Sequence, residues 1–248
     1  MLVLVPAACG RRAAPNPLAW RELAGGLSYA EAQLRAGSDK QPVTLHLLRL
    51  EPRLWQLRVV TAATSGRPLA GPGEFRAAVP GAVAAVNAGF FDPEYRPLGL
   101  LVDRGETLAP LRHVDHGVFG IAAGQPLLRH AREWKDLPEL EFAVECGPRL
   151  LVDGHPLTFK PGVARRTIIG HDRHGRAVLA VSDGVISLAE LADFLGRSGE
   201  RGGPGLSDAL NLDGGPSTML ELAVGGVEVR VATPVQVPVG IVVVARQP

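Results

Sequence analysis

Short apolar runs, broken by glycine, proline or charged turns, recur along nearly the whole chain, and few of them carry helical spacing. Val43–Leu50 and Leu54–Thr61 read as strands on either side of a Glu51-Pro52-Arg53 turn. Val83–Val86, Leu98–Val102, Gly117–Ala122, Phe142–Glu145 and Leu150–Val152 continue the series. Arg166–Gly170 and Ala177–Ser182 flank a turn at His171-Asp172-Arg173-His174-Gly175. The C-terminal part adds Ala209–Leu212, Thr218–Leu222, Val227–Val231 and Val239–Ala245. Two stretches are predicted to be helical. Trp20–Arg35 has Ser28 as a cap ahead of Tyr29-Ala30-Glu31-Ala32-Gln33-Leu34. Ser187–Leu195 has Ser187 as cap, Glu190 at the capping-box position, and Leu188, Leu191, Ala192 and Leu195 on one stripe.

Strands dominate, and many connections are too short to hold a crossover helix, so the alternation of a doubly wound sheet is missing. The pattern predicts an α+β fold: a mixed, largely antiparallel β-sheet core with a few covering helices. Glycine and proline are spread through turns rather than gathered into a linker, and no internal repeat appears. Residues 18–248 are expected to form a single domain behind a segment at residues 1–17.

Within this pattern, Ala209-Leu210-Asn211-Leu212-Asp213-Gly214-Gly215-Pro216-Ser217-Thr218-Met219 stands apart. Strand alternation puts Asn211 and Asp213 on one face and Leu210 and Leu212 on the other. The glycines permit positive φ and close approach of a ligand to bare backbone, and successive N–H groups in such a turn can form an anion-binding nest. A carboxylate beside such a nest suits chemistry on a substrate that carries negative charge. The same segment also reads as a hairpin turn, because Asp-Gly is a strong hairpin signal.

Charge narrows the partners. Lys and Arg total 26 against 25 Asp and Glu, a net charge of +1, which argues against a nucleic-acid partner and its basic stripe. The opening Leu2–Gly10 is an apolar segment that runs through small residues into Cys9. It resembles a bacterial lipoprotein signal, although it is short and no basic residue precedes it. The expectation is an exported protein of the cell envelope or periplasm, with membrane attachment through a lipidated Cys9 and a tether from Arg11 to Pro17. No other window approaches the roughly 20 apolar residues that cross a bilayer. Cys9 and Cys146 are the only cysteines, so no disulfide framework holds the fold. Cys146 reads as a buried thiol rather than a nucleophile.

Four separated segments end an apolar strand in small or charged residues: Val86-Asn87-Ala88-Gly89-Phe90-Phe91-Asp92, Glu145-Cys146-Gly147-Pro148-Arg149-Leu150, Arg165-Arg166-Thr167-Ile168-Ile169-Gly170 with Ser182-Asp183-Gly184 behind it, and the Asn211–Ser217 loop. With these motifs, in this order from Asn87 to Ser217, the chain resembles the phosphodiester glycosidases. Cys146 and Pro216 depart from the family's usual glycine or small residue, and neither change removes a charge. The resemblance implies hydrolysis of a sugar joined through its anomeric carbon to a phosphodiester. Such a reaction expels a phosphate monoester, whose second pKa is about 6, so the leaving group needs little protonation. Charge and donors on the phosphate then do most of the work, a role assigned to Arg166 with the Gly214-Gly215 backbone and the Ser217 hydroxyl. A carboxylate must activate water or stabilise the oxocarbenium-like sugar: Asp213 first, Glu145 second, Asp183 behind them. Asn87 and Asn211 would orient a sugar hydroxyl or the water, Phe90 or Phe91 would wall the ring, and Gly89 and Thr218 complete the expected substrate-binding set.

Duller roles exist for each: Arg166 as a surface ion pair, Asp183-Gly184 as a turn, Asn87 as a turn residue, the phenylalanines as core. His113 and His116 sit at a spacing that can reach one metal from a helix, but their surroundings read as loop and no transition-metal site is expected. No cofactor is required; Ca²⁺ or Mg²⁺ on Asp213 and nearby carbonyls would suit hard-cation chemistry. Beside the sugar-phosphodiester hydrolase stand two other readings, a non-catalytic carbohydrate- or phosphate-binding envelope module and a hydrolase of ordinary glycosides or phosphoesters with the same fold.

Overall fold

The computed structural model describes residues 17–134 and 139–247, so the signal-like segment with Cys9 lies outside the described residues. Three sheets carry the domain. The largest has eight strands, in the order Arg21–Ala24, Leu27–Ala36, Gln41–Leu50, Ala177–Asp183, Thr167–Asp172, Leu206–Asn211, Arg149–Val152 and His155–Pro156. A five-stranded sheet runs Val227–Val231, Leu220–Val224, Ala82–Asn87, Val239–Ala245 and Trp55–Thr61. Another runs Glu106–Ala109, Leu101–Asp103, Phe142–Cys146, Gly117–Ala122 and Gln125–His130. Every pair of named strands among the described residues is antiparallel. The fold is α+β and dominated by sheet.

The sequence pattern explains the layering. Apolar residues from all three sheets meet in one buried core, among them Leu48, Leu179 and Leu210 from the large sheet, Val86, Leu222 and Ile241 from the second, and Phe119, Phe142 and Val144 from the third. The opposite face of the large sheet is also covered. There Leu45, Ile168, Ala180 and Ala209 pack under Leu191, Ala192 and Leu195 of the helix Leu188–Gly196. A strand buried on both faces needs apolar residues at consecutive positions, which is why Ile168-Ile169 and Ala209-Leu210 are unbroken pairs. Ser187 caps that helix as expected: its Oγ accepts from the Glu190 N–H at 3.2 Å, and the Glu190 carboxylate accepts in return from the Ser187 N–H at 3.3 Å.

Three expectations are corrected. Trp20–Arg35 is not a helix; it contains the antiparallel strands Arg21–Ala24 and Leu27–Ala36. Its Ala30, Ala32 and Ala36 are buried while Glu31 and Gln33 are exposed, a two-residue period that the high helix propensity of alanine and glutamate masks. Ser28, taken for a helix cap, donates its hydroxyl to Glu22 at 3.3 Å. The strand expected from Leu98 begins only at Leu101, and the one expected from Thr218 begins at Leu220. Several elements went unrecognised, the strands Glu106–Ala109 and His155–Pro156 among them. The short helix Pro72–Ala77 buries Phe75 against the second sheet, and Gln125–His130 is a partly exposed edge strand.

Candidate active site

Antiparallel pairing brings the start of Thr167–Asp172 beside the end of Leu206–Asn211, and Asn87, at the end of Ala82–Asn87 in the second sheet, ties its own strand to them. Its side chain is buried. Oδ1 accepts from the Thr167 hydroxyl at 2.6 Å and the Met219 N–H at 3.3 Å. Nδ2 donates to the Asp213 carbonyl at 2.7 Å and, more weakly, to the Ala88 carbonyl at 3.3 Å. The Asp213 N–H donates in turn to the Ala88 carbonyl at 3.2 Å, and the Leu212 N–H to the Thr167 carbonyl at 2.8 Å. The amide that sequence reasoning assigned to substrate is therefore fully engaged in holding four segments of chain. Asn211 does related work: its Nδ2 donates to the Gly147 carbonyl at 3.0 Å and the Leu212 carbonyl at 2.7 Å, while Oδ1 is buried without a partner.

This frame presents Asp213, which is half-buried at the head of the turn. One carboxylate oxygen accepts from the Gly214 N–H at 2.9 Å. Burial raises the Asp213 pKa above the usual carboxylate value, and hydrogen bonding from the Ser217 side chain and the Gly214 N–H opposes the rise. The anion-binding nest expected from the glycines is not free. The Gly215 N–H donates to the Arg165 carbonyl at 2.8 Å, the Ser217 N–H to the Gly214 carbonyl at 3.2 Å, and the Thr218 N–H to the Gly215 carbonyl at 3.3 Å. Gly215 has a φ of 59°, so glycine serves the shape of a tight helical turn here. The Thr218 hydroxyl is buried and unpartnered.

Positive charge stands over this turn. A methyl group added at Gly214 would lie 2.9 Å from the Arg165 carbonyl oxygen and 3.9 Å from both Cδ and Nη1 of Arg166. The Arg166 backbone is fixed by Ser182, whose hydroxyl accepts its N–H at 2.7 Å and whose own N–H donates to its carbonyl at 2.9 Å. Its guanidinium donates only to carbonyls, Nε to Ile186 at 3.3 Å and Nη2 to Gly162 at 3.5 Å. Among the described residues it pairs with no carboxylate, and burial alone lowers its pKa. The surface ion pair that competed for Arg166 is absent there. Next to it, Arg165 donates through Nη1 to the Ala232 carbonyl at 2.9 Å, and its Nε and Nη2 are buried without partners. Arg165 was not singled out from sequence, although the doubled arginine before Thr167 was visible.

Glu145 lies in a different setting. Its side chain has no exposed surface, and Oε2 accepts from the Leu100 N–H at 2.8 Å and the Arg112 N–H at 2.9 Å. Oε1 faces Nδ1 of His116 at 3.4 Å, and neither atom has another partner. The His116 ring also packs 5.7 Å from Phe90. Sequence spacing offered His116 only as a metal partner of His113; no signal joined it to Glu145, because the pairing of Gly117 with Cys146 that brings them together is long-range. Cys146 is fully buried and its thiol is pushed up to about 12, chiefly by burial and further by the Asp213 and Glu145 charges, so it is inert. Gly89 packs against this strand, where a Cβ would come 2.7 Å from the Glu145 carbonyl oxygen. Asp183 is exposed, its charge acts on His46, and it directly follows Ser182, which fixes the Arg166 backbone. Phe91 bridges to Pro97 and tilts against Tyr95. No group of three or more potential metal ligands occurs among the described residues. Two clefts, of about 1140 and 630 Å³, are lined by other residues.

Comparison with known proteins gives the family and the fold. A family model for phosphodiester glycosidases matches residues 80–244, the span that holds every residue of the frame. The Escherichia coli (strain K12) protein YigE, described as uncharacterized, is 30% identical over 124 residues, 44% of this chain and 48% of its own length. The chain thus spans about half of that curated relative. The zebrafish N-acetylglucosamine-1-phosphodiester alpha-N-acetylglucosaminidase catalytic domain, auto-inhibited by its pro-peptide, superposes with a TM-score of 0.68 at 18% identity, covering 94% of this chain and 87% of that one. A hypothetical protein from Synechocystis gives 0.60 at 18%, covering 95% and 65%, and a putative exported protein from Burkholderia pseudomallei K96243 gives 0.61 at 13%, covering 85% and 76%. These structural likenesses establish the fold.

The frame makes a definite expectation for Asn87→Ala. The Thr167 hydroxyl, the Met219 N–H and the Asp213 carbonyl would each lose a partner, at about 1–3 kcal/mol for each one left buried and unsatisfied. Urea denaturation should show a loss of at least about 2 kcal/mol. A change within the error of the midpoint would show that Asn87 does not hold the frame.

Proposed function

The chain belongs to the phosphodiester glycosidase family, and from that membership we propose that it hydrolyses glycosyl phosphodiesters at the bond between the anomeric carbon and oxygen. The observation that carries the reading is the half-buried guanidinium of Arg166, unpaired with any carboxylate among the described residues, beside the turn that presents Asp213. Arg166 binds the phosphate, while the Ser217 hydroxyl is given to the Asp213 carboxylate and the Thr218 hydroxyl is buried. Asp213 accepts a proton from the water that attacks the anomeric carbon. The carbon–oxygen bond breaks with its electron pair left on the phosphate oxygen. The products are a free sugar and a phosphate monoester.

A second carboxylate is not needed as general acid, because a phosphate monoester with a second pKa of about 6 leaves without protonation. This fits the setting of Glu145, whose carboxylate is wholly buried and locked by two backbone N–H groups. An ordinary glycosidase would need both carboxylates open to the sugar. We assign Glu145 a positioning role, through the His116 ring that lies between it and Phe90. Export to the cell envelope and lipid attachment at Cys9 belong to the same proposal. Their support is the signal-like opening of the sequence and the Burkholderia neighbour described as a putative exported protein. Among the described residues no helix is long and apolar enough to cross a membrane.

Product analysis on a glycosyl phosphodiester should give free reducing sugar and phosphate monoester in equal amounts; release of the aglycone alcohol with sugar phosphate would place the cleavage on the wrong side of the phosphate. Asp213→Asn should abolish turnover without loss of stability at neutral pH. The sign follows from the raised pKa: the folded protein holds the Asp213 proton more tightly than the unfolded chain does. Ionisation therefore costs stability as pH rises from the unfolded to the folded value, and an amide avoids that cost. For the same reason the acid limb of the wild-type rate should lie above the ordinary carboxylate range. A variant that kept wild-type turnover would end the assignment.

Arg166→Gln should lower kcat/KM for a glycosyl phosphodiester by roughly 10²–10³-fold, the scale of a lost charge-stabilising donor. Any hydrolysis of a neutral aryl glycoside should fall far less; an equal loss on both would remove phosphate from the role of Arg166. Metabolic labelling with an alkynyl palmitate should tag the chain in a bacterial host and fail on Cys9→Ser. Labelling that persists in the variant would exclude Cys9 as the anchor.

A further inference from the structure

Two of the strands at the Asn87 frame, Thr167–Asp172 and Leu206–Asn211, have their other ends at a second cleft. From Thr167 to Asp172 is five residues, about 17 Å of extended chain. There a cavity of about 1140 Å³ opens between the strand Gln41–Leu50, the hairpin turn at residues 172–176 and the glycine-rich segment after the helix Leu188–Gly196. Five arginines line it against three aspartates, although the whole chain carries a net charge of only +1.

Two of the aspartates are already committed. Asp172 accepts from the N–H groups of His174 and Arg176 at 2.9 and 3.1 Å and from the Arg176 guanidinium at 2.7 Å, and Asp193 pairs with Arg197. Arg49, Arg173 and Arg201 remain, and among the described residues none has a side-chain hydrogen bond or an ion pair. Arg49 is half-buried and stacks 4.0 Å over the Trp20 ring. Burial, and then the neighbouring Arg176 charge, both disfavour its charged form. Arg173 and Arg201 are exposed at the rim. Unpaired guanidinium groups gathered around a cleft are disfavoured by mutual repulsion unless an anion joins them, and their planar forks match phosphate oxygens.

We propose that this cleft binds a saccharide chain carrying phosphate groups. The three free arginines sit on three different elements around one cleft, two of them exposed at its rim, and so offer separate contacts to phosphates spaced along a chain. The imidazoles of His155 and His174, with the backbone groups of residues 199–205, line the same space and suit sugar hydroxyls. A single-stranded nucleic acid would need exposed aromatic platforms. Trp20 is the one aromatic residue of that kind lining the cleft, and Arg49 covers one of its faces. The proposal does not depend on the hydrolase reading, because the Asp213 turn lies at the other end of the strands.

The test uses maltodextrin phosphorylated on its hydroxyl groups, which contains no glycosyl phosphodiester for the Asp213 site to cleave. Calorimetric titration should show binding that weakens as salt rises, while unphosphorylated maltodextrin should show none. Arg173→Gln with Arg201→Gln, and separately Arg49→Gln, should each weaken binding roughly tenfold or more. Hydrolysis of a small glycosyl phosphodiester should stay at the wild-type rate in the rim double variant, which separates failure of this proposal from failure of the catalytic one. Arg173 and Arg201 are exposed, so the rim variant tests the cleft even if Arg49→Gln unfolds. Wild-type affinity in the rim variant, no binding by the wild type, or equal binding of a single-stranded oligonucleotide of matched charge would each overturn the proposal.

Discussion

One buried amide sets the geometry of the site. Asn87 closes the end of its strand by bonding at once to Thr167, Met219 and Asp213, three partners far apart in sequence. An amide suits this position because it offers an acceptor and donors on one short, rigid side chain. Aspartate would lose the donor that holds the Asp213 carbonyl, and threonine or serine would not reach all three. Asn87, Thr167 and Met219 are all buried, so each missing partner would leave a polar group shielded from solvent, at a cost of about 1–3 kcal/mol. The precision of the Asp213 turn therefore rests on a residue that has no donor or acceptor left for substrate.

Antiparallel topology explains why functional groups gather where they do. Each sheet-ending loop returns the chain close to its start, so loops far apart in sequence stack at one edge of the core. The large sheet is buried on both faces, which leaves strand ends as the places where polar groups meet solvent. Arg166 stands one residue before its strand, Asp213 two residues after its own, and Asn87 closes its strand. The cleft with the free arginines lies at the opposite ends of Thr167–Asp172 and Leu206–Asn211. A rigid sheet thus carries two polar ends separated by an apolar middle.

How much of this was legible in sequence differed by scale. The strands Gly117–Ala122, Val227–Val231 and Val239–Ala245 were readable to the residue, because two are apolar runs and Val227–Val231 alternates valine with charged residues, each between turn signals. The first hairpin was misread, because alanine and glutamate favour helices and only pairing with Gln41–Leu50 decides otherwise. In the site, the motif residues around Asn87, Arg166 and Asp213 stood out by their small and charged neighbours. What the sequence could not carry was the division of labour among them. A nest of free N–H groups and a turn whose N–H groups are internally bonded have the same glycines, and only the carbonyls of Arg165, Gly214 and Gly215 distinguish them. His116 escaped for a similar reason, since its partner Glu145 lies on another strand and nothing local marks the contact.

The proposed hydrolysis requires the two charges to stay apart. Asp213 and Arg166 sit at one turn, and a direct ion pair between them would satisfy both. It would also lower the basicity of the carboxylate and occupy the guanidinium, leaving neither a proton acceptor nor an anion site. The structure keeps them apart by giving each a different tether: the Gly214 N–H holds the carboxylate, and the carbonyls of Ile186 and Gly162 hold the guanidinium. Burial then raises the Asp213 pKa and lowers that of Arg166, so both charges are less stable than they would be in water. A substrate that brings a phosphate to the arginine and a developing positive charge to the carboxylate relieves both at once. That differential gain in the transition state, rather than tight ground-state binding, is what lets such a site accelerate a reaction.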